Sequence, residues 1–259
     1  MEGIYFRKYS SSLDRYMEVK KYGYDGKICI WFPCQNGRFF DFENFGMNDL
    51  LADTIDTGKL TVISVDTVDE ESLSDSSWRS PENRIARQEQ YYHYIVDDLV
   101  GYLPEITGRG PEETGGLMSF GCSMGAYHAA NVFFRRPDLF PRALCLSGIY
   151  DLRYMFGDFM TPLVYANSPI DCLRNMPWDH PYIERYNHGR LIACVGQGAW
   201  EVPTLQSTRD LAAVLRQKGI HAWVDFWGTD VSHDWYWWKK QTRYFLPFLL
   251  EETLENDPA

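Results

Sequence analysis

The sequence lacks an excess of basic residues and any basic run of the kind that follows a phosphate backbone. It has 25 lysine and arginine residues against 36 aspartate and glutamate residues, which gives a formal net charge of −11. Nucleic acids and anionic membranes attract basic surfaces, so we expect neither as a partner. The acidic surface says little about the substrate.

Long apolar runs are also missing. No stretch approaches the length of a transmembrane span, and Met1–Lys8 does not contain the apolar region of a secretory signal peptide. We therefore expect a cytoplasmic protein. The six cysteines show no paired spacing, and three of them (Cys29, Cys145 and Cys194) lie in apolar strand-like runs. This favours free buried thiols, which fit a reducing compartment.

Motifs for metal ions and phosphate groups are missing as well. No ligand spacing typical of a metal site is present, and no phosphate-binding loop, so we expect no metal and no cofactor. Apolar residues make up 45% of the 259-residue chain. A chain of this length and composition can bury a sizeable core. Without an internal repeat or linker, we predict one domain over residues 1–259.

Strand-like and helix-like segments alternate along the chain. This order is typical of an α/β fold with a mostly parallel central sheet and helices on both faces. The acidic, serine-rich segment 66–80 is predicted to be a surface loop. Strands are predicted over residues 16–22, 27–33, 60–66, 117–122, 143–147, 190–195 and 220–227. Helices are predicted over residues 81–102, 126–134, 204–218 and 234–253.

The segment 150–189 breaks this alternation. It is long, aromatic and contains prolines, and a connection of this length in a compact domain is usually functional. We predict a small cap insertion over the carboxyl ends of the strands. It offers five apolar side chains as wall material for the substrate pocket: Tyr154, Met155, Phe156, Phe159 and Trp178. Of these, we assign Phe156, Phe159 and Trp178 to the pocket.

The strongest functional signal is the pentapeptide Gly121–Gly125, which has the pattern G-x-S-x-G. It follows a short apolar run and precedes a helical run that stops before a proline. This context is typical of a nucleophile elbow, in which a serine occupies a strained strand-to-helix turn. Ser123 is therefore the predicted nucleophile. Cys122, one residue earlier, would point away from the site.

A serine hydroxyl needs a base within hydrogen-bond reach and an acid that orients the base. His233 lies between the last predicted strand and the terminal helix, in a loop that can bring a base over the sheet. We predict that His233 is the base. The other histidines fit structural or surface positions better: His93, His128, His180, His188 and His221.

The acid should follow the penultimate strand, 190–195. The loop after that strand contains one carboxylate, Glu201, which is the predicted acid. Asp151, which follows the strand 143–147, is the alternative.

The developing oxyanion needs two N–H donors. One should be the backbone of Met124, directly after the serine. The other should come from the loop after the strand 27–33. Because Pro33 has no N–H, the donor is Cys34 or Gln35, and we favour Gln35.

Three parts of the chain resemble the putative esterase (esterase D-like) family: residues 121–139, the Trp200–Glu201 loop and residues 232–238. That family includes feruloyl and acyl-glutathione esterases, enterobactin-type esterases and mycolyltransferases. The resemblance covers about residues 25–250. It implies an α/β-hydrolase fold, Ser–acid–His catalysis without a cofactor, and ester substrates.

The chain departs from the family pattern in two places. The His-Gly turn common in the oxyanion loop is Pro33-Cys34 here. The acid, commonly an aspartate three residues beyond the glycine at the strand end, is Glu201, two positions later. The first departure affects the geometry of the oxyanion loop. The second departure affects which residue is the acid.

We therefore predict a serine esterase that acts on a small-molecule ester. Two alternatives stay open: an acyltransferase with the same triad, and a non-catalytic binding module on a hydrolase scaffold. Trp235, Trp237 and Trp238 could form an aromatic wall for the substrate or belong to the core. The sequence also leaves open whether the chain forms a homo-oligomer.

Overall fold

The computed structural model describes residues 2–74 and 79–250. Within these ranges, eight strands form one sheet. Their bounds are β1 Ile4–Ser10, β2 Arg15–Tyr22, β3 Lys27–Phe32, β4 Leu60–Val65, β5 Met118–Cys122, β6 Arg142–Leu146, β7 Arg190–Val195 and β8 Trp223–Phe226. The order across the sheet is β1-β2-β4-β3-β5-β6-β7-β8. Strands β3 to β8 pair in parallel, whereas β1 with β2 and β2 with β4 are antiparallel.

Helices cover both faces of this sheet. Their bounds are α1 Asp41–Asn44, α2 Met47–Leu50, α3 Ala52–Asp56, α4 Pro81–His93, α5 Val100–Thr107, α6 Met124–Arg135, α7 Arg153–Phe156, α8 Pro162–Ala166, α9 Pro169–Asn175, α10 Pro181–His188, α11 Val202–Gln217 and α12 Trp235–Leu250. A π-helical turn, Tyr94–Leu99, joins α4 to α5. None of the helices in the described ranges is long and apolar enough to cross a membrane.

The alternation of side chains along β3 shows why two layers of helices form. Ile28, Ile30 and Phe32 enter one core, which α4, α5, α6 and α11 cover. Cys29 and Trp31 point to the other face and pack with α1, α2, α3 and α12. Both sets are almost completely buried. The predicted α/β architecture is therefore confirmed.

The structure differs from the predicted elements in several places. Strand β1 was not predicted, because this edge strand pairs only with β2 and leaves most of its side chains accessible. The helix predicted to end at residue 102 continues past Pro104 to Thr107, and Gly108, with φ 78°, follows its end. The last helix ends at Leu250, and residues 251–253 of that prediction lie outside the described residues.

The prediction of a surface loop over 66–80 is wrong for its described first part. Val68, Asp69 and Leu73 are at most 3% exposed, and Asp69–Glu71 forms a 3-10 turn. Burial of the charged Asp69 is possible because His128 pairs with it. Residues 75–78 lie outside the described residues.

The segment 150–189 folds into α7, α8, α9 and α10. Its first part packs beside the carboxyl ends of β5 and β6, where Leu152 and Phe156 contact a small apolar cluster that includes Met124. Its later helices pack back on the main layer, α9 against α6 and α11 and α10 against β7. All six cysteines of the chain are free thiols.

Candidate active site

Ser123 occupies the turn between β5 and α6. Its backbone has φ 57° and ψ −123°, which a residue other than glycine adopts only under constraint. Its N–H donates a hydrogen bond to the carbonyl of Leu146 at 2.8 Å. This bond ties the turn to the end of β6, and the serine stays partly exposed at the carboxyl edge of the sheet.

Two close backbone contacts explain the glycines of the pentapeptide. A Cβ on Gly121 would lie 2.2 Å from the carbonyl carbon of Gly125, and a Cβ on Gly125 would lie 2.3 Å from the carbonyl oxygen of Phe32. Neither contact is possible, because backbone atoms would have to move. The pattern G-x-S-x-G requires glycine at both ends because α6 packs closely on β5 and on the end of β3.

His233 follows β8 and precedes α12. Its N–H donates to the carbonyl of Ala199 at 3.0 Å. Its ring packs edge-on against Trp238, with centroids 4.8 Å apart. Held in this way, Nε2 lies 3.0 Å from Ser123 Oγ. That distance suits a base that takes the hydroxyl proton.

Glu201 lies between β7 and α11 and is 1% exposed. Its Oε2 is 3.1 Å from Nδ1 of His233 and also accepts a hydrogen bond from Thr204. Its Oε1 accepts a hydrogen bond from Ser147 Oγ at 2.6 Å. Burial alone would raise the pKa of Glu201, but the hydrogen bonds from these three partners outweigh it and lower the pKa. The carboxylate is therefore charged at neutral pH.

The loop of the acid and the loop of the base are joined through backbone contacts. The N–H of Gly198 donates to the carbonyl of Val231 at 2.8 Å. A Cβ on Gly196 would lie 2.2 Å from the same carbonyl oxygen. The glycines after β7 therefore allow the loop of Glu201 to pass directly beside the loop of His233.

The structure brings together Ser123, His233 and Glu201, and it leaves Asp151 out. Asp151 accepts a hydrogen bond from the N–H of Arg153 at 2.8 Å, at the start of α7, and its carboxylate contacts the Arg153 guanidinium. The remaining histidines lie elsewhere. The rings of His93 and His128 contact the carboxylates of Asp97 and Asp69. The ring of His180 contacts the N–H of Tyr182, and the ring of His188 contacts the carbonyl of Glu184. The backbone N–H of His221 donates to the side chain of Asn187.

Two backbone N–H groups are candidates for the oxyanion hole. Met124 begins α6, Gln35 lies in the loop after β3, and both line the cavity at Ser123. Within the described residues, neither N–H has a hydrogen-bond partner in the protein. Cys34 is not among the residues that line this cavity. The geometry favours Gln35 over Cys34 as the second donor.

The cavity at Ser123 has a volume of about 190 Å³. Its described lining residues are Gln35, Ser123, Met124, Tyr127, Ser147, Ile149, Tyr154, Met155, Trp200, Pro203, Thr204 and His233. The largest of them, Trp200, is 85% exposed at its mouth, and Tyr154 is 64% exposed. Free aromatic surface of this kind is available to a bound ligand.

The pocket residues expected from the sequence need correction. Phe156, Phe159 and Trp178 are not among the described residues around the cavity. Phe156 is buried under the guanidinium of Arg84, 4.7 Å from its ring centre. Phe159 packs beside Phe156, whereas Trp178 is 65% exposed and lies against Lys218. Of the apolar side chains offered by this segment, Tyr154 and Met155 in α7 line the cavity.

The proposed aromatic wall of α12 is not part of the described cavity lining either. Trp238 is 4% exposed and packs on His233. Trp235 stacks on Phe45 with ring centroids 4.2 Å apart. Trp237 contacts Trp227 edge-on. These tryptophans pack between elements, and Trp238 is the one that contacts the ring of the base.

Sequence reasoning missed the side chains that hold the acid, Ser147 and Thr204. Ser147 directly follows β6, has φ 54° and donates to Glu201. A serine at a strand end is common, so no local signal marks it. In the described ranges, no group of three or more histidine, cysteine, aspartate or glutamate residues is arranged to hold a metal ion.

Comparison with known proteins gives a consistent assignment. A family model described as putative esterase matches residues 25–247. A ferulic acid esterase structure has a TM-score of 0.74 at 14% identity, covering 96% of this chain and 98% of that chain. A comparison with curated proteins found no match.

Two Staphylococcus aureus structures are also similar. The fluorophosphonate-binding serine hydrolase FphF has a TM-score of 0.72 at 14% identity, covering 97% of this chain and 99% of that chain. The S-formylglutathione hydrolase FrmB has a TM-score of 0.68 at 14% identity, covering 96% of each chain. At these identities the likeness establishes the fold, and the predicted α/β-hydrolase fold is confirmed.

Proposed function

The chain belongs to the putative esterase family, and we propose that it is a serine hydrolase that hydrolyses a carboxylic ester through Ser123, His233 and Glu201. The observation that carries this proposal is the unbroken hydrogen-bond chain between them. Ser123 Oγ is 3.0 Å from His233 Nε2, and His233 Nδ1 is 3.1 Å from Glu201 Oε2. The order and the distances suit a triad of nucleophile, base and acid.

In the first half of the reaction, Ser123 Oγ attacks the carbonyl carbon of the ester as His233 Nε2 takes the hydroxyl proton. Glu201 stabilises the imidazolium that forms. Before the reaction it keeps the ring proton on Nδ1, so that Nε2 is free to accept the hydroxyl proton. The tetrahedral intermediate then collapses. The C–O bond to the alcohol breaks, His233 returns the proton to the leaving oxygen, and an acyl-enzyme on Ser123 remains.

The negative charge on the carbonyl oxygen needs donors that are already in position. Met124 and Gln35 line the cavity at Ser123, and their N–H groups form no hydrogen bond within the described part of the protein. Preorganised donors in a site that excludes water typically contribute about 10²–10³-fold to the rate for each donor. In the second half, water attacks the acyl-enzyme with His233 as base, and the acid is released.

A small reacting group fits the cavity best. The cavity volume of about 190 Å³ is below the range typical of sites for drug-sized ligands. We therefore expect a short acyl group or a compact alcohol next to Ser123. Trp200 and Tyr154 would contact the remainder of the ester at the mouth.

The test is turnover of p-nitrophenyl acetate, butyrate and octanoate by the wild type, Ser123→Ala and His233→Ala. We expect the wild type to release nitrophenol with a burst of one equivalent if deacylation limits the rate. Each variant should lose at least about 10³-fold in kcat. Ser119→Ala is the matched control, because it removes a buried serine hydroxyl of β5, four residues before Ser123, that donates to the backbone carbonyls of Ala129 and Arg142.

A folded wild type that hydrolyses none of these esters, or a Ser123→Ala variant with unchanged turnover, would overturn the proposal. Adding an alcohol to the same assay separates hydrolysis from acyl transfer. Under our proposal most of the acyl group appears as free acid, whereas a transferase would give mainly the new ester.

A further inference from the structure

A second imidazole–carboxylate pair lies next to the proposed triad. His128 Nε2 is 2.9 Å from Asp69 Oδ1, and the two residues are 2% and 1% exposed. Neither is among the described residues that line the cavity at Ser123. The pair therefore does not touch a substrate, and its role must be exerted through other residues.

Asp69 also holds the loop after β3. Its second oxygen, Oδ2, accepts a hydrogen bond from the N–H of Asn36 at 3.1 Å. Asn36 has φ 58°, a left-handed conformation that is costly for most residues but more accessible to asparagine. The carboxylate therefore stabilises an unusual backbone turn directly after Gln35.

The imidazole ring of His128 is held in place by aromatic side chains. His128 lies in α6, and its ring stacks on Phe32 with centroids 5.8 Å apart. Tyr91 and Tyr127 contact the ring edge-on at 5.0 and 5.2 Å. Since the ring is enclosed by three aromatic side chains, it gives Asp69 a rigid partner.

We infer that Asp69 and His128 are positioning residues that set the distance between the two oxyanion donors. This inference rests on the function proposed above. One donor, Gln35, precedes the residue that Asp69 holds. The other, Met124, lies four residues before His128 on the same helix. Asp69 is thus the connection between the loop of the first donor and the helix of the second.

The energetics support a role in positioning rather than in stability alone. Burying a charged or polar pair costs desolvation free energy, and apolar residues of similar size often stabilise a core as well or better. An oxyanion hole, by contrast, depends on donor placement, because the donors must meet an oxygen that exists only in the transition state. A rigid bridge between loop and helix meets that need.

The test compares Asp69→Asn, Asp69→Ala and His128→Gln with the wild type in ester turnover and in binding of butylboronic acid. An alkyl boronic acid forms a tetrahedral adduct on a nucleophilic serine. We expect kcat to fall about 10- to 100-fold with little change in KM, which is less than the loss of a donor. Affinity for the boronic acid should fall by a similar factor. Asp69→Asn should retain more activity than Asp69→Ala, because its amide oxygen can still accept from Asn36.

Ser119→Ala serves as the control for loss of a buried hydrogen bond to α6. It should lower the melting temperature without changing kcat or boronic acid affinity. The inference is overturned if folded Asp69 or His128 variants keep kcat within twofold of the wild type, or if the loss lies in KM alone. Should Asp69→Ala fail to fold, His128→Gln decides. An inactive wild type would instead refute the proposed function itself.

Discussion

Ser147 Oγ donates a hydrogen bond of 2.6 Å to Oε1 of Glu201. The same hydroxyl accepts a hydrogen bond from Nε1 of Trp238 at 3.0 Å, and the Trp238 ring also packs on His233. Glu201 is therefore held on both oxygens, by Ser147 on one and by His233 and Thr204 on the other. Together these contacts orient the acid before substrate binds.

Ser147→Ala should lower kcat about tenfold, since a buried hydrogen bond to a charged group contributes about 1.5–3 kcal/mol. KM should change less than kcat, because the hydroxyl of Ser147, which also lines the cavity, is engaged by Glu201 and Trp238. Steady-state kinetics with p-nitrophenyl acetate measure both. Trp238→Phe removes the N–H that donates to Ser147 and leaves a smaller aromatic ring beside His233, and it should have a smaller effect on kcat. If Ser147→Ala is folded and fully active, the orientation of Glu201 does not depend on this contact.

Substitution of Glu201 should lower kcat far more than substitution of Asp151, the alternative acid. Glu201→Gln keeps the size of the side chain but removes the charge that stabilises the imidazolium, so kcat should fall by about 10³–10⁴-fold. Asp151→Asn should leave kcat nearly unchanged, because its carboxylate contacts Arg153 in α7. The reverse ranking of the two folded variants would contradict the assignment.

Glu201 should also make stability depend on pH. Its pKa in the folded protein lies below the ordinary value of 4.5, so the unfolded chain binds the proton more readily. The resulting stabilisation is fully present above the ordinary value and is lost as pH falls through the lower folded pKa. Urea unfolding from about pH 6 to about pH 3 should therefore show the wild type losing its advantage over Glu201→Gln. An advantage that grows toward acid pH would contradict the sign.

Substrate preference should depend on Trp200 rather than on Phe156. Trp200→Ala removes the aromatic surface that would contact the remainder of the ester at the cavity mouth, so kcat/KM for the octanoate should fall about five- to tenfold relative to the acetate. Phe156→Ala should lower the free energy of unfolding by about 3 kcal/mol and leave that ratio unchanged, since Phe156 is buried. If Phe156→Ala changes the octanoate-to-acetate ratio of kcat/KM and Trp200→Ala does not, the acyl pocket lies on the buried side of α7.

The sequence predicted those parts of the site that have a local signature. Ser123 lies in a glycine pattern between a strand and a helix, and His233 and Glu201 lie in loops that the order of strands identifies. Ser147 has no such signature. It reaches Glu201 because β5, β6 and β7 pair in register at their carboxyl ends, with Cys122 opposite Leu146 and Leu146 opposite Cys194.

Long-range packing explains the other differences. Asp69 lies in an acidic, serine-rich segment whose composition indicates a surface loop, but its partner His128 is 59 residues further along the chain. The segment 150–189 offers many aromatic side chains, and only its folding into α7 decides that Tyr154 and Met155 reach the cavity while Phe156 turns inward. No periodicity in the sequence distinguishes these neighbours.

The most direct test of the account is labelling of the folded wild-type protein with a fluorophosphonate, followed by peptide mass spectrometry. A hydroxyl activated by His233 should form one covalent adduct, located on Ser123, and His233→Ala should slow its formation strongly. Ser119→Ala should be labelled like the wild type. An adduct on another residue, or no adduct on a folded protein, would contradict the assignment of Ser123 as the nucleophile.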